Sequence, residues 1–454
     1  MKTAIKTISF AFLPFVLLFF ACSSPAGSES NGETTLSIIL PGGQNGKVVG
    51  DPGSLQYEIS GTGPNGKSFS ETGMGGTTVN VTLVPGLWHV IIKAFGPGDS
   101  TKTSEAESES YDINVKAGKN NNLPIQMRFV QTAAVLPYLQ AVGPTGTPVS
   151  LHLAVPLDST EWSALFTAIA TAGYDVDLDL SACTRGPSAG VAGLDSNGVF
   201  DPDSSVPTGK DKIVSLVLPD VADSIADGYP TFDHFSALKV AEGRNVTSIG
   251  TAAFYGCTSL VSVEFPKVAS IGDGAFQDCT SLVSVEFPQA TSIGFLAFAN
   301  CTSLDSVEFP LASSIDAGAF DNCTSLVSVE FPLVTSIGDS AFHGCDNLES
   351  IKIPEVVTLS DTVFYATTAT SLIIEMGSTA PTVGITTFFN ITAPKNVTVK
   401  VSLGATGYGT ISTTYTTDTT TPNWANAFRG MGWDGSVYLT GLVNSNITLT
   451  IEYK

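Results

Sequence analysis

The chain has 454 residues, of which 20 are Lys or Arg and 42 are Asp or Glu, for a formal net charge of −22. That sign excludes long-range attraction to nucleic acid or to anionic lipid headgroups and leaves cationic partners open. A hydrophobic content of 43% with only 14% charged residues excludes a solvated disordered chain, and the length allows about two to four domains.

Residues 1–22 open with Lys2 and Lys6, followed by the apolar run Ile8–Ala21, interrupted by Pro14. The run is too short for a comfortable membrane span and suits the apolar core of an export signal. Phe19-Phe-Ala-Cys22 with Ser-Ser-Pro-Ala behind it resembles a bacterial lipoprotein signal. The resemblance implies that Cys22 becomes the acylated first residue, although the expected leucine stands at Leu18, one step early; a plain secretory signal is the alternative. No other apolar run is long enough to cross a membrane, so contact with the membrane is expected only through the lipid. Residues 23–33 are small and polar and read as a flexible tether.

Residues 34–129 carry short alternating strands, as in Thr78–Val84 and Leu87–Phe95, separated by Gly and Pro turns. They predict a β-sandwich. The stretch LVPGLWHVIIKAFGP resembles prealbumin-like or immunoglobulin-like stalk domains. Residues 130–212 predict a β-α-β unit: a strand over Val149–Val155, a helix begun by the capping box Asp158-Ser-Thr-Glu161, and a strand over Val176–Leu180. This unit is expected to cap the open N-terminal end of the repeats. Asp195, Asp201 and Asp203 in the next loop offer calcium ligands in principle. The spacing lacks the closing Glu of an EF-hand and reads as an Asx-rich turn.

Residues 213–375 form the repeat region, with regular 22-residue units over 249–358. Cys257, Cys279, Cys301, Cys323 and Cys345 make one column; Phe254 to Phe364, Ile249 to Ile337 and Leu260 to Leu348 make others. Self-similarity at this period means a solenoid. In each strand Leu, Val and Phe, such as Leu282, Val285 and Phe287, point inward. Each strand should pair with its copy in the next rung to give a parallel sheet, ended by a proline. Gly250, Gly272, Gly294 and Gly338 are expected to permit the tight return, with Asp316 breaking their column, and Ala-Phe-x-x-Cys to form a short 3₁₀ or helical turn behind. The cysteines pack as small buried hydrophobes in this reading, although the rung spacing of ~5 Å also permits disulfide geometry.

The motif SIGDGAFQDCTSLVSVEFP resembles the BspA-like branch of leucine-rich repeats, whose unit is usually one residue longer. The resemblance implies a mainly β, right-handed solenoid in an exported surface protein that adheres to host extracellular-matrix proteins, other surface proteins or other bacterial cells. It further implies a lipid-anchored place on the outer membrane, facing outward. A structural or envelope-assembly lipoprotein facing the periplasm is the alternative. The outward strand positions are the candidate binding face: Val261, Val283, Asp305, Val327 and Glu349; Ser262, Ser284, Ser306, Ser328 and Ser350; Glu264, Glu286, Glu308, Glu330 and Lys352. Stacked glutamates repel. The stripe is either a tolerated product of duplication or a surface for a cationic partner.

Residues 376–454 predict further strands, at Asn396–Val401 and Asn446–Ile451, as a β-rich C-terminal cap. His89, His152, His234 and His343 stand in no catalytic or metal-ligating motif, and no phosphate-binding or nucleophile motif is present. No enzyme activity, cofactor or metal is expected.

Overall fold

A computed structural model describes residues 34–39, 56–74, 77–95, 106–108, 111–115, 121–123, 127–130, 132–142, 146–189, 193–201, 208–227, 232, 235–365, 367–369, 371–377, 382–383, 395–401, 414–416 and 447–453. The signal, Cys22, the tether, Asp203 and His234 lie outside the described residues.

The first described unit contains two small β-sheets. Thr34–Ile39 lies between Thr78–Leu83, antiparallel, and Asn121–Leu123, parallel. The larger sheet has the antiparallel order Ser68–Met74, Gln56–Thr62, Gly86–Phe95, Ala106–Ser108, Met127–Phe129, and Tyr111–Val115 also pairs with Gly86–Phe95. Alternation in these strands puts Leu36, Ile38, Tyr57, Ile59, Val81, Trp88, Val90 and Ile92 into one core. The Trp88 indole donates to the carbonyl of Val84 at 2.9 Å, which satisfies its polar edge inside that core.

The second core is continuous from Val135 to Met376. It is enclosed by parallel ladders built one rung at a time. The front ladder begins with Val149–His152, Val176–Asp179, Ile213–Val217 and Val240–Glu242. Ser262–Glu264, Ser284–Glu286 and Ser306–Glu308 continue it. A second segment runs through Ser328–Glu330, Ser350–Ile353, Ser371–Met376, Lys395–Val401 and Ile447–Tyr453, closed by the antiparallel Thr414–Thr416. Both flanking regions expected as caps therefore add strands to the repeat sheet itself.

A second sheet, not anticipated from the sequence, is parallel and made of two-residue strands throughout the repeats. Ser248–Ile249, Ser270–Ile271, Ser292–Ile293, Ser314–Ile315 and Ser336–Ile337 pair in succession within a ten-stranded sheet from Gly193–Leu194 to Thr382–Val383. The repeating Ser-Ile pair was its signal; two residues are too few to show a period of two.

The Ala-Phe-x-x-Cys segment forms i→i+3 turns, as expected, but they do not join into a continuous helix. Ala252 and Gly256, Gly274 and Asp278, Leu296 and Asn300, Gly318 and Asn322, and Ser340 and Gly344 all have positive φ. Such residues break a right-handed helix. The result is a third ladder. Ala252, Phe254 and Gly256 donate their N–H groups to the next rung, at Asp273, Ala275 and Gln277, while Tyr255 and Cys257 close i→i+3 turns.

The glycine column also works differently from expectation. Gly250, Gly272, Gly294 and Gly338 are not in the positive-φ region. A Cβ there would instead meet neighbouring backbone, 2.1 Å from the Ala226 carbonyl oxygen at Gly250 and 2.8 Å from the Gly272 carbonyl carbon at Gly294. Close approach of rungs, not a turn, selects glycine.

The helix Ser159–Ala172 covers the first rungs with Trp162, Leu165, Phe166 and Ile169. Asp158 caps it, accepting from the N–H groups of Thr160 and Glu161 at 2.9 and 3.0 Å. Glu161 does not complete the box; its carboxylate accepts from the Thr132 hydroxyl. In the following loop Asp195 accepts from the N–H groups of Asn197 and Val199, the Asx-type turn expected there.

Candidate docking face

Inward positions set the outward ones. Leu282, Val285 and Phe287 are buried, and so are their copies in the neighbouring rungs except Val263, which is half-buried. Alternation then turns Val283, Ser284 and Glu286 outward. The Phe rings stack along the core: Phe276 and Phe298 lie 5.2 Å apart with planes 5° from parallel, and Phe298 and Phe320 lie 5.5 Å apart. This stack fixes the rungs in register and so lines up every outward column.

Each of the fifteen candidate residues is exposed or half-buried on the front ladder. Val261, Val283 and Val327 are 40%, 40% and 44% exposed, although valine favours burial. Glu264, Glu286, Glu308 and Glu330 are exposed. Pairing brings Glu242, absent from the sequence-derived set, level with Glu264, and Glu286 level with Glu308. Glu242 stands one 22-residue period before Glu264, so the repeat interval extended one unit back would have found it, and the register confirms its place. Burial, and then the Glu264 carboxylate, push the Glu242 carboxyl above the usual range, while Arg244 opposes them.

The carboxylate row ends in pairs. At one end His152 and Asp179 face each other on paired strands, with Nδ1 and Oδ2 2.9 Å apart. Burial alone would raise the Asp179 carboxyl, but His152 and the hydrogen bonds from Ser181 outweigh it and bring it to about 2. At the other end Lys352 pairs with Glu330, which raises the Lys352 ammonium. Beyond it the row alternates in sign: Lys352 is level with Glu375, Glu375 with Lys400, and Lys400 with Glu452. Between the two pairs, none of Glu242, Glu264, Glu286 and Glu308 makes an ion pair among the described residues.

The cysteine column lies within the core. Cys257, Cys279, Cys301, Cys323 and Cys345 are free thiols, all buried. Cys279, Cys301 and Cys323 each donate S–H to a phenylalanine carbonyl of the preceding rung at 3.1 Å. Burial raises the Cys279, Cys301 and Cys323 thiols far above their ordinary range, which suppresses the reactive thiolate. Among the described residues no group of three or more His, Cys, Asp or Glu is placed to hold a metal ion.

Residues 227–333 and 313–431 match, in six copies, the family described as BspA type Leucine rich repeat region. The repeats are thus similar to BspA-type leucine-rich repeats. No curated protein matches the chain. A leucine rich cell surface protein from Faecalibacterium prausnitzii is 18% identical over 53% of this chain and 79% of its own, with a TM-score of 0.30. A leucine-rich repeat protein from Bacteroides ovatus is 26% identical over 46% of this chain and 61% of its own, with a TM-score of 0.32. For the T. pallidum Leucine Rich Repeat protein the figures are 22%, 38%, 73% and 0.20.

Proposed function

We propose that the chain is a non-enzymatic bacterial surface lipoprotein that binds host or microbial proteins through the front ladder of its solenoid. The carrying observation is the rigid face itself, where exposed valines and unneutralised carboxylates are held in columns by buried Phe stacks. Apolar groups presented on a preorganised surface favour protein association, because little ordering entropy remains to be lost. The BspA-type match and the lipobox-like Cys22 support export and anchoring to the outer membrane. In this reading residues 34–129 are a prealbumin-like or immunoglobulin-like stalk, and the strands of 130–212 and 376–454 seal the ends of the solenoid around 213–375. Host extracellular-matrix proteins, or proteins on other bacterial cells, are the proposed partners.

The test has two parts. Protease shaving of intact cells should remove the protein from the outer surface, and the chain lacking its leader should capture matrix proteins. A chain that survives shaving but is cleaved in lysed cells faces the periplasm, and that outcome replaces adhesion with a role in envelope structure.

A further inference from the structure

The front face is not uniform, and its boundaries come from pairing. His152–Asp179 closes one end of the carboxylate row, and the Glu330–Lys352 pair begins an alternation of sign at the other. Glu242, Glu264, Glu286 and Glu308 lie between them. Exposed aliphatic side chains border this interval at Val261 and Val283, each 40% exposed, on one side and at Leu311, 41% exposed, on the other. Lys239, Arg244 and Lys267 border its first two rungs, with Arg244 paired to Asp220 and Lys267 donating to Asn245. Carboxylates with exposed aliphatic side chains beside them match the chemistry of a lysine or arginine side chain, whose stem packs on apolar surface while its head meets an anion.

Spacing selects the shape of the partner. Successive carboxylates stand ~4.8 Å apart, so the later ones lie at ~9.6 and ~14.4 Å from the first. An α-helix rising ~1.5 Å per residue places positions i+3, i+7 and i+10 at ~4.5, ~10.5 and ~15 Å, on one face. An extended strand repeats a face every ~6.8 Å and loses register by the second carboxylate. A second copy of this chain is a poor occupant, since 42 acidic residues against 20 basic ones bring like charge to like.

We propose that this interval of the front sheet docks a basic amphipathic α-helix of a partner protein, lying along the solenoid axis. Its Lys or Arg side chains meet Glu242, Glu264, Glu286 and Glu308, and its aliphatic groups cover Val261, Val283 and Leu311. The inference rests on the protein-binding role proposed above and adds the chemical class, the shape and the footprint of the partner. Lys352, Glu349 and Ser350 fall outside that footprint.

The probe is a synthetic leucine–lysine peptide with lysines at i, i+3, i+7 and i+10. Its comparators are a leucine–glutamate counterpart and a proline-interrupted isomer. Fluorescence anisotropy over a salt series, with the chain lacking its leader, should show the lysine helix binding and weakening as salt rises. The triple substitution Glu264→Gln, Glu286→Gln, Glu308→Gln should weaken it about tenfold or more. Glu355→Gln, an exposed carboxylate beyond the face, should change nothing. Circular dichroism and melting serve to confirm that the variants fold. Equal binding by the triple variant, or by the leucine–glutamate peptide, overturns the charge assignment. Equal binding by the proline-interrupted isomer overturns the helix, and no binding at low salt overturns the whole proposal. Capture of matrix proteins that persists in the triple variant sinks this inference and leaves the broader role standing. Loss of surface exposure in the shaving assay sinks the broader role whatever the peptide does.

Discussion

The two cores of this molecule are built on opposite principles. Around Trp88 each side chain occupies its place once: the unit is mostly antiparallel, and its core mixes Leu, Ile, Tyr, Val and Trp without repetition. Around Phe298 the same side chains recur in every rung, with Phe276 on one side and Phe320 on the other, nearly parallel. The first core is sealed by its own strands folding back. The second is sealed only by the next rung, so its length is set by how many rungs stack and its ends need closing. Regularity in this chain therefore serves presentation. A periodic core is what lines up an outer face in columns, and an aperiodic one cannot.

Four experiments probe this contrast. Phe298→Ala in a central rung should cost about 3–5 kcal/mol, because the ring is fully buried and its stacked neighbours cannot collapse into the gap. Denaturant melts would measure it, and a midpoint equal to wild type would place the column outside the core. Trp88→Ala should cost about as much, but in the other unit. If the two cores unfold separately, each variant shifts its own transition; if they unfold together, the packing of Phe129 on both cores is strong enough to merge them.

Next in size, Cys301→Ala should destabilise by about 1–3 kcal/mol, since it leaves a small cavity and removes one of two donors to the buried Phe276 carbonyl, which keeps the Cys279 N–H. Cys301→Ser keeps a donor and should recover part of that loss; the column itself continues with the hydroxyl of Thr367, buried one rung beyond Cys345. Equal stability of the serine and alanine variants would show that the thiol acts only by filling space.

The smallest effect is acid sensitivity at the row's first pair. The Asp179 carboxyl is held down to about 2 in the folded chain. Its stabilisation is therefore fully present above the ordinary carboxylate pKa of about 4 and is lost as pH falls through about 2. Partial exposure discounts it to about 1–2 kcal/mol. The difference in stability between wild type and Asp179→Asn, measured from pH 5 downward, should shrink across that window, and a constant difference would refute the assignment.

Much of this was legible in the sequence because it repeats. A 22-residue period written in Phe, Cys, Leu and Ile fixed the solenoid, the inward columns, and hence the outward Val, Ser and Glu columns. Alternation was enough for the strands of the first unit, and Asp158 for the start of the helix. What stayed hidden was set by partners distant along the chain. The Ser-Ile ladder is too short to carry a period of its own. The glycine column is selected by backbone from another rung. The back turns depend on positive φ at Ala252 and Leu296, residues that seldom adopt it.

The charge row shows the division most plainly. That glutamates recur at one outward position is written in the residue order alone, because duplication copies a residue together with its place in the rung. Which further strands continue the row is settled only by folding in three dimensions: Asp179 with His152 before it, and Glu375, Lys400 and Glu452 after it. Those strands are separated by unequal lengths of chain, so no fixed interval connects them. Hydrogen-bonded register does, and it is register that leaves four carboxylates on the outer face with no ion pair among the described residues.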